Sequence, residues 1–305
     1  MTDRRTEALH SEAIGLDARP LAEIATLLAE GQVSAARAAL DAAEQIAAAA
    51  RSMAETIRGR GVLHYVAAGS SGLMAAADAQ ELGGTFSIPA EQLRIHMAGG
   101  LPTGVEMPGG TEDETEGLGE ALANLGPSDT VIAVSASGTT PYTLAAVSLA
   151  RKAGATVIGI ANNPGAPLLS AADHPVCLAT PPELLSGSTR MGAGTAQKIA
   201  LNMLSTLMAV ELGHVHDGMM VNLHADNAKL RARAEGIVAR IAGVDTEAAQ
   251  GAIAAAGGAV KPAILIARAG VTPAEANDIL RQTEGHLRAA LARVKQTENQ
   301  EGDIL

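Results

Sequence analysis

Three short stretches rich in hydroxyl groups carry the chemistry that this sequence offers. They are Gly69-Ser70-Ser71-Gly72, Ser135-Ala136-Ser137-Gly138-Thr139-Thr140 and Ser186-Gly187-Ser188-Thr189-Arg190. The first two each follow a short apolar run and precede a helix-like run, and the third comes just before a long apolar helix at Gly194. The opening N–H groups of a helix have no internal partner, so a small polar turn leading into one is suited to anions. Glycines there admit a ligand close to the backbone, and the serine and threonine hydroxyls add donors. Any one of these turns is also compatible with an ordinary strand-to-helix connection; three in this order favour a phosphate cradle. Ser70, Ser71, Ser135, Ser137, Thr139, Thr140, Ser186 and Ser188 are its candidate ligands, with the basic Arg190 and Lys198 nearby. Neither of the first two turns has G-x-G-x-x-G spacing, and a Walker loop is absent.

Two carboxylates are candidates for proton transfer. Glu81 follows the first turn along its helix, and Glu112 opens the segment after the second predicted strand. Two acids can divide acid and base duties when their surroundings separate their proton affinities. Glu112 lies among Asp113, Glu114 and Glu116, so it also reads as a helix start that favours negative charge. Glu81 also reads as a solvated helix residue. His64 and His96 fall within strands, as core or cleft-wall groups. His214, His216 and His224 lack H-E-x-x-H spacing and a carboxylate partner, so no metal site is expected.

Positioning these groups requires strands alternating with helices. Val62 to Ala67, Gln92 to Ala98, Thr130 to Val134, Thr156 to Ile160 and Val176 to Ala179 read as strands. Helices separate most of them, which predicts an α/β fold, a parallel sheet with helices on both faces. Before it, Pro20 to Glu30 reads as a helix that Gly31 breaks, and Ser34 as the cap of a second helix to about Arg58. Thr2 to Arg19 is expected to be irregular or to wrap a neighbour. Thr111 and Glu114 have capping-box spacing and predict a helix through Leu125. Beyond Leu223 only helical patterns follow. The expected organisation is an N-terminal helical segment (1–57), a sheet domain (58–222) and a small C-terminal helical domain (223–305).

Composition narrows the function classes. Among 305 residues there is no Trp, with 2 Tyr and 1 Phe, so stacking on nucleic-acid bases has little support. A net charge of −11 repels a polyphosphate backbone, although a local cradle of N–H and hydroxyl groups still suits a small phosphorylated ligand. The single Cys177 excludes an intrachain disulfide and a cysteine metal cluster. No signal peptide or membrane span is read, so a cytoplasmic location without membrane partners is expected.

The order AAGSSG…DAQE, TED, SASGTTPY, NNPG, SGSTRMGAGTAQK and LNMLST resembles the N-acetylmuramic acid 6-phosphate etherase family, whose core is a sugar isomerase (SIS) domain. The resemblance runs from about Thr6 to Val294, is strongest from Ser186 to Thr206, and includes NAKLRAR at Asn227 to Arg233. It implies an SIS-type sheet and a homodimer without cofactor. It also implies a carbon–oxygen lyase that releases D-lactate from a phosphorylated amino sugar during cell-wall sugar recycling. By position, Glu81 matches the family acid that protonates departing lactate, and Glu112 the base that removes the C2 proton. The serines of the first two turns match the phosphate- and sugar-binding loops. The chain departs from the family pattern at Leu73 and Thr139, where arginines are usual, at Leu82-Gly83-Gly84, and at Gly192 in place of a lysine. Thr139 cannot replace a bidentate guanidinium. The alternatives within the same fold are a sugar-phosphate isomerase and a non-catalytic sugar-phosphate sensor.

Overall fold

The computed structural model describes residues 5–223 and 228–302. His224 and the first residue of the NAKLRAR segment, Asn227, lie outside them. The chain divides into two compact units, Met1–Glu81 with Pro89–Leu207, and Leu82–Ile88 with Met208–Leu305.

The first unit is built on five parallel strands: β1 (Leu63–Ala67), β2 (Leu93–Met97), β3 (Thr130–Ser135), β4 (Thr156–Ala161) and β5 (His174–Cys177). Their order is β2-β1-β3-β4-β5, with Leu63 paired to both Leu93 and Thr130. Every residue of β1 and β3 is buried, which explains their largely apolar sequences. One face packs Val66, Val131, Ala133 and Val157 against Tyr142, Ala146, Val147 and Ala150 of α5 (Pro141–Ala153) and Leu168 of α6 (Pro167–Ala171). The other face carries α2 (Ala43–Arg58) and, through Tyr65, α3 (Gly69–Phe86). The strand order reverses between β1 and β3. In such sheets a crevice opens at that point, beyond the carboxyl ends of the strands. The GSSG and SASGTT turns stand on these two strands.

Several boundaries differ from expectation. Gly31 does not end a helix: α1 runs from Leu21 to Asp41 and breaks at Ala42. One glycine costs a helix about 1 kcal/mol against alanine, which its alanine- and leucine-rich flanks outweigh. Ser34 accordingly donates to the Glu30 carbonyl (3.1 Å) instead of capping. The capping box at Thr111 does not form. Thr111–Asp113 is one 3-10 turn entered through Gly110 at φ 71°, and only the short α4 (Leu118–Ala121) follows. Residues 5–19 contain two 3-10 turns, Arg5–Glu7 and Leu16–Ala18. The last helix of this unit's site, α7 (Gly192–Glu211), is as long as its apolar run implies.

The second unit holds a two-stranded hairpin, β6 (Val215–His216) with β7 (Met219–Met220), and five helices. These are α8 (Ala228–Ala242), α9 (Thr246–Ala255), α10 (Val260–Ala269), α11 (Pro273–Gln282) and α12 (Leu287–Gly302). Asp245 caps α9 through the Ala248 N–H, and Thr272 and Glu275 form a reciprocal capping box on α11. Val238, Ala263, Ile264 and Leu265 are fully buried in its core. No helix among the described residues is long and apolar enough to cross a membrane.

Candidate active site

The first turn enters α3 directly. Gly69 has φ 54°, and a Cβ on it would stand 2.9 Å from Oε1 of Glu112. The Glu112 carboxylate therefore lies against the amino end of α3, although 43 positions of sequence separate the two residues. Glu112 has no helix of its own to support, since its 3-10 turn ends at Asp113. The negative charge instead faces the positive end of α3. Ser70 and Ser71 occupy the same first turn, half-buried and buried respectively.

The second turn is held by its own hydroxyls. Ser135, 3% exposed, accepts from the Gly138 N–H (3.0 Å) and shares hydrogen bonds with Thr140 Oγ1 (2.8 Å) and Ser137 Oγ (3.3 Å). Ser137 Oγ accepts from both the N–H and the hydroxyl of Thr139 (3.2 and 3.1 Å). Ser135 is thus the frame of the loop, and Ser137, Thr139 and Thr140 are its half-buried rim. Gly138 makes this fold possible: at φ 68°, a Cβ there would stand 2.4 Å from the Ala166 Cβ.

The third stretch differs from its expected role. The first N–H groups of α7 are already used: Glu183 accepts from Gly192 (3.0 Å) and Ala193 (2.8 Å) and is itself buried. An internal carboxylate fills this helix N-terminus, so α7 does not offer it to a ligand. Ser186 donates to the Glu7 carbonyl (3.3 Å), Ser188 is half-buried, and Arg190 and Lys198 are exposed. A cleft beside this stretch is lined by Glu12, Glu30 and Glu183, a negative wall that disfavours phosphate.

Glu81 is exposed on α3, twelve residues beyond Gly69 and so about 18 Å along the helix axis. The structure therefore does not bring Glu81 and Glu112 together within one chain. One turn before Glu81 lies Asp78, a carboxylate that the sequence did not single out. It is 4% exposed and accepts from Tyr65 Oη (3.0 Å), Asn202 Nδ2 (2.9 Å) and Ser205 Oγ (2.8 Å). Burial raises its proton affinity and the neighbouring Glu81 adds to this, while the three donors oppose it. Its partners sit on β1 and α7, so only the folded chain reveals the cluster.

His64 and His96 stack at 5.2 Å, with Nδ1 and Nε2 3.0 Å apart, on β1 and β2. Burial lowers both, His96 to about 4, which fits a packed pair on the sheet. Among the described residues no group of three or more His, Cys, Asp or Glu is placed to hold a metal ion.

An SIS domain model matches residues 110–212. Over 296 residues, the chain is 46% identical to the N-acetylmuramic acid 6-phosphate etherase of Deinococcus radiodurans, covering 95% of this chain and 96% of that protein. It is 42% identical to the N-acetylmuramic acid 6-phosphate etherase of Streptomyces avermitilis, covering 94% and 93%. Among solved structures, it is similar to a phosphoheptose isomerase from Francisella tularensis with a TM-score of 0.43 at 18% identity, over 63% of this chain and 98% of that one.

Proposed function

Because this chain belongs to the N-acetylmuramic acid 6-phosphate etherase family, we propose that it hydrolyses the lactyl ether of N-acetylmuramic acid 6-phosphate. The products are N-acetylglucosamine 6-phosphate and D-lactate. The observation that carries a catalytic reading over mere sugar binding is the Glu112 carboxylate against Gly69, in the crevice between β1 and β3. A sensor needs the hydroxyl loops but no base beside them.

The rim of the 135–140 turn holds the phosphate through Ser137, Thr139, Thr140 and the adjacent N–H groups. This leaves the opened sugar running toward Glu112. The C2 hydrogen is acidic beside the free aldehyde, and Glu112 takes it. Electrons from the C2–H bond form the C2–C3 double bond as the C3–O bond breaks, and Glu81 gives its proton to the departing lactate oxygen. Water then adds at C3, returning its proton to Glu81, while C2 regains a proton from Glu112. Each acid ends as it began, so the cycle needs no cofactor. The reaction places the enzyme where phosphorylated sugars reside, in the cytoplasm.

The axial separation of Glu81 from Gly69 points to a homodimer in which Glu81 of one protomer serves the Glu112 site of its partner. The test is D-lactate release from N-acetylmuramic acid 6-phosphate by wild type, Glu81→Gln, Glu112→Gln and the two variants co-expressed. Each single variant is expected to lose about 100-fold or more, in line with the loss of a general acid or base. Co-expression is expected to restore about a quarter of wild-type activity, since half of the dimers carry one intact site. A fully active Glu112→Gln would overturn the catalytic assignment, and no restoration on co-expression would overturn the shared site.

A further inference from the structure

The N-terminal turn reaches the loop that follows β4 and the stretch that precedes α7. Thr6, in the turn Arg5–Glu7, is 3% exposed. Its N–H donates to Asn163 Oδ1 (3.3 Å), and its Oγ1 accepts from Asn163 Nδ2 (3.0 Å). The same Asn163 Nδ2 donates to the carbonyl of Ser137 (3.3 Å). On the other side, the Glu7 carbonyl accepts from Ser186 Oγ (3.3 Å), and Arg5 donates to the Ala179 carbonyl (3.4 Å). Three consecutive residues thus tie the second hydroxyl stretch to the third.

We propose that Thr6 is a positioning residue for the sugar-phosphate loop, acting through Asn163 on Ser137. This rests on the reading that the 135–140 turn holds the phosphate. An asparagine side chain has two N–H donors and one oxygen. Thr6 takes one donor and supplies the oxygen's partner, leaving the second donor aimed at Ser137. Asn163 is itself 6% exposed, so little water is available to replace a lost bond. With Thr6 engaged, the Asn163 amide has one orientation and the Ser137 peptide is fixed by it. That peptide sets the direction of the Ser137 and Thr139 hydroxyls, which are already bonded to each other. Without the Thr6 hydroxyl one Asn163 N–H loses its acceptor and the amide keeps only the Thr6 N–H on that side, so the rim of the phosphate site loosens while Glu112 and Glu81 keep their places.

The test separates the hydroxyl from the shape. Thr6→Val keeps the branched outline and loses the acceptor, whereas Thr6→Ser keeps the acceptor and loses a methyl group. KM and kcat for D-lactate release are measured for both, with thermal unfolding alongside. Thr6→Val is expected to raise KM about 5- to 10-fold, the scale of one buried hydrogen bond, with kcat within about 2-fold. Thr6→Ser is expected to stay near wild type. An unchanged KM in Thr6→Val, or equal damage in Thr6→Ser, overturns the proposal and leaves Thr6 a packing residue. A parallel titration of thermal stability with inorganic phosphate reads the loop without the reaction. If wild type is stabilised by phosphate but releases no lactate, the proposed reaction fails. The inference then stands if Thr6→Val needs about 5- to 10-fold more phosphate than wild type, and falls if it needs the same. Absence of phosphate stabilisation together with absence of lactate release overturns both.

Discussion

Replacing Gly69 by alanine moves one carboxylate and little else. The backbone there has φ 54°, a conformation that costs an alanine about 1–2 kcal/mol relative to glycine. The new Cβ would meet Glu112 Oε1 at 2.9 Å. That oxygen is the tip of a long, exposed side chain, so the carboxylate swings aside before any backbone shifts. Clearing the contact takes roughly 0.5–1 Å, and a misplacement of that size is expected to cost about 10- to 100-fold in rate. The stability loss corresponds to a few degrees in melting temperature, about 2–4 °C per kcal/mol for a chain of this size or somewhat smaller. The assay is initial-rate D-lactate release with thermal unfolding of the same preparation. Gly31→Ala is the control: it lies in α1 with no atom within 4 Å of its would-be Cβ, and helix propensity predicts a gain of about 1 kcal/mol with unchanged turnover. The reasoning fails if Gly69→Ala loses the expected stability yet keeps kcat within about 2-fold of wild type, because the position of Glu112 at Gly69 would then be irrelevant to the reaction.

Two further outcomes follow from buried ionisable groups. Asp78→Ala strands the donors of Tyr65, Asn202 and Ser205 inside the fold and is expected to cost about 2–4 kcal/mol in urea denaturation; a cost under about 0.5 kcal/mol would mean that the three donors find other partners. Lys261, buried on α10 and donating to the Gly285 carbonyl (3.0 Å), is lowered by burial from 10.5 to about 8. Above pH 10.5 the lysine is neutral in both the folded and unfolded chains, so its burial then carries no charging cost. As pH falls from 10.5 to 8 the unfolded chain binds a proton that the folded chain does not, so stability is lost across that window and the loss is complete below it. Lys261→Met is therefore expected to be more stable than wild type at pH 7, with the difference shrinking between pH 8 and 10.5 in denaturation curves. A pH-independent difference would remove the charge from the explanation.

How far the sequence could be read depends on the range of the interaction concerned. The central strands were legible because full burial writes itself as a continuous apolar run, as in Val131–Val134. The two crevice loops were legible because Gly and hydroxyl residues cluster between such a run and a helix. Local rules failed where a stronger local term or a distant group decided the outcome. Gly31 was outweighed by its flanks, and the Thr111 box gave way to a glycine with positive φ just before it. Glu183, which closes α7, is nine and ten residues from the N–H groups it accepts from, with the whole SGSTR stretch between. Asp78 looks like any helical acid until Asn202 and Ser205 arrive from α7. Thr6 and Asn163 are 157 residues apart and meet only in the folded chain. The candidate acids stand out in the sequence by type and position, and the place of Glu81 farther along the helix from Gly69 is already contained in the helical rise.

The three helix N-termini that looked equivalent in sequence have different surroundings. That of α7 is closed by Glu183. That of α3 faces the carboxylate of Glu112, and placing a phosphate dianion beside it would set two like charges against each other. Among the described residues, the side-chain hydrogen bonds of the turn before α5 go to no acidic group. Its first helical residue, Pro141, has no N–H to give, so on the proposed function the hydroxyls of Ser137, Thr139 and Thr140 are the principal donors. This accounts for the density of hydroxyls in that turn. On the proposed function, a chain with Leu73 and Thr139 where the family it belongs to carries arginines would hold phosphate through neutral donors on a rigid frame in place of charge. It follows as well that the rigidity of the frame, fixed by Ser135, Gly138 and the Thr6–Asn163 tie, matters more to this chain than it would to one with a guanidinium in the loop.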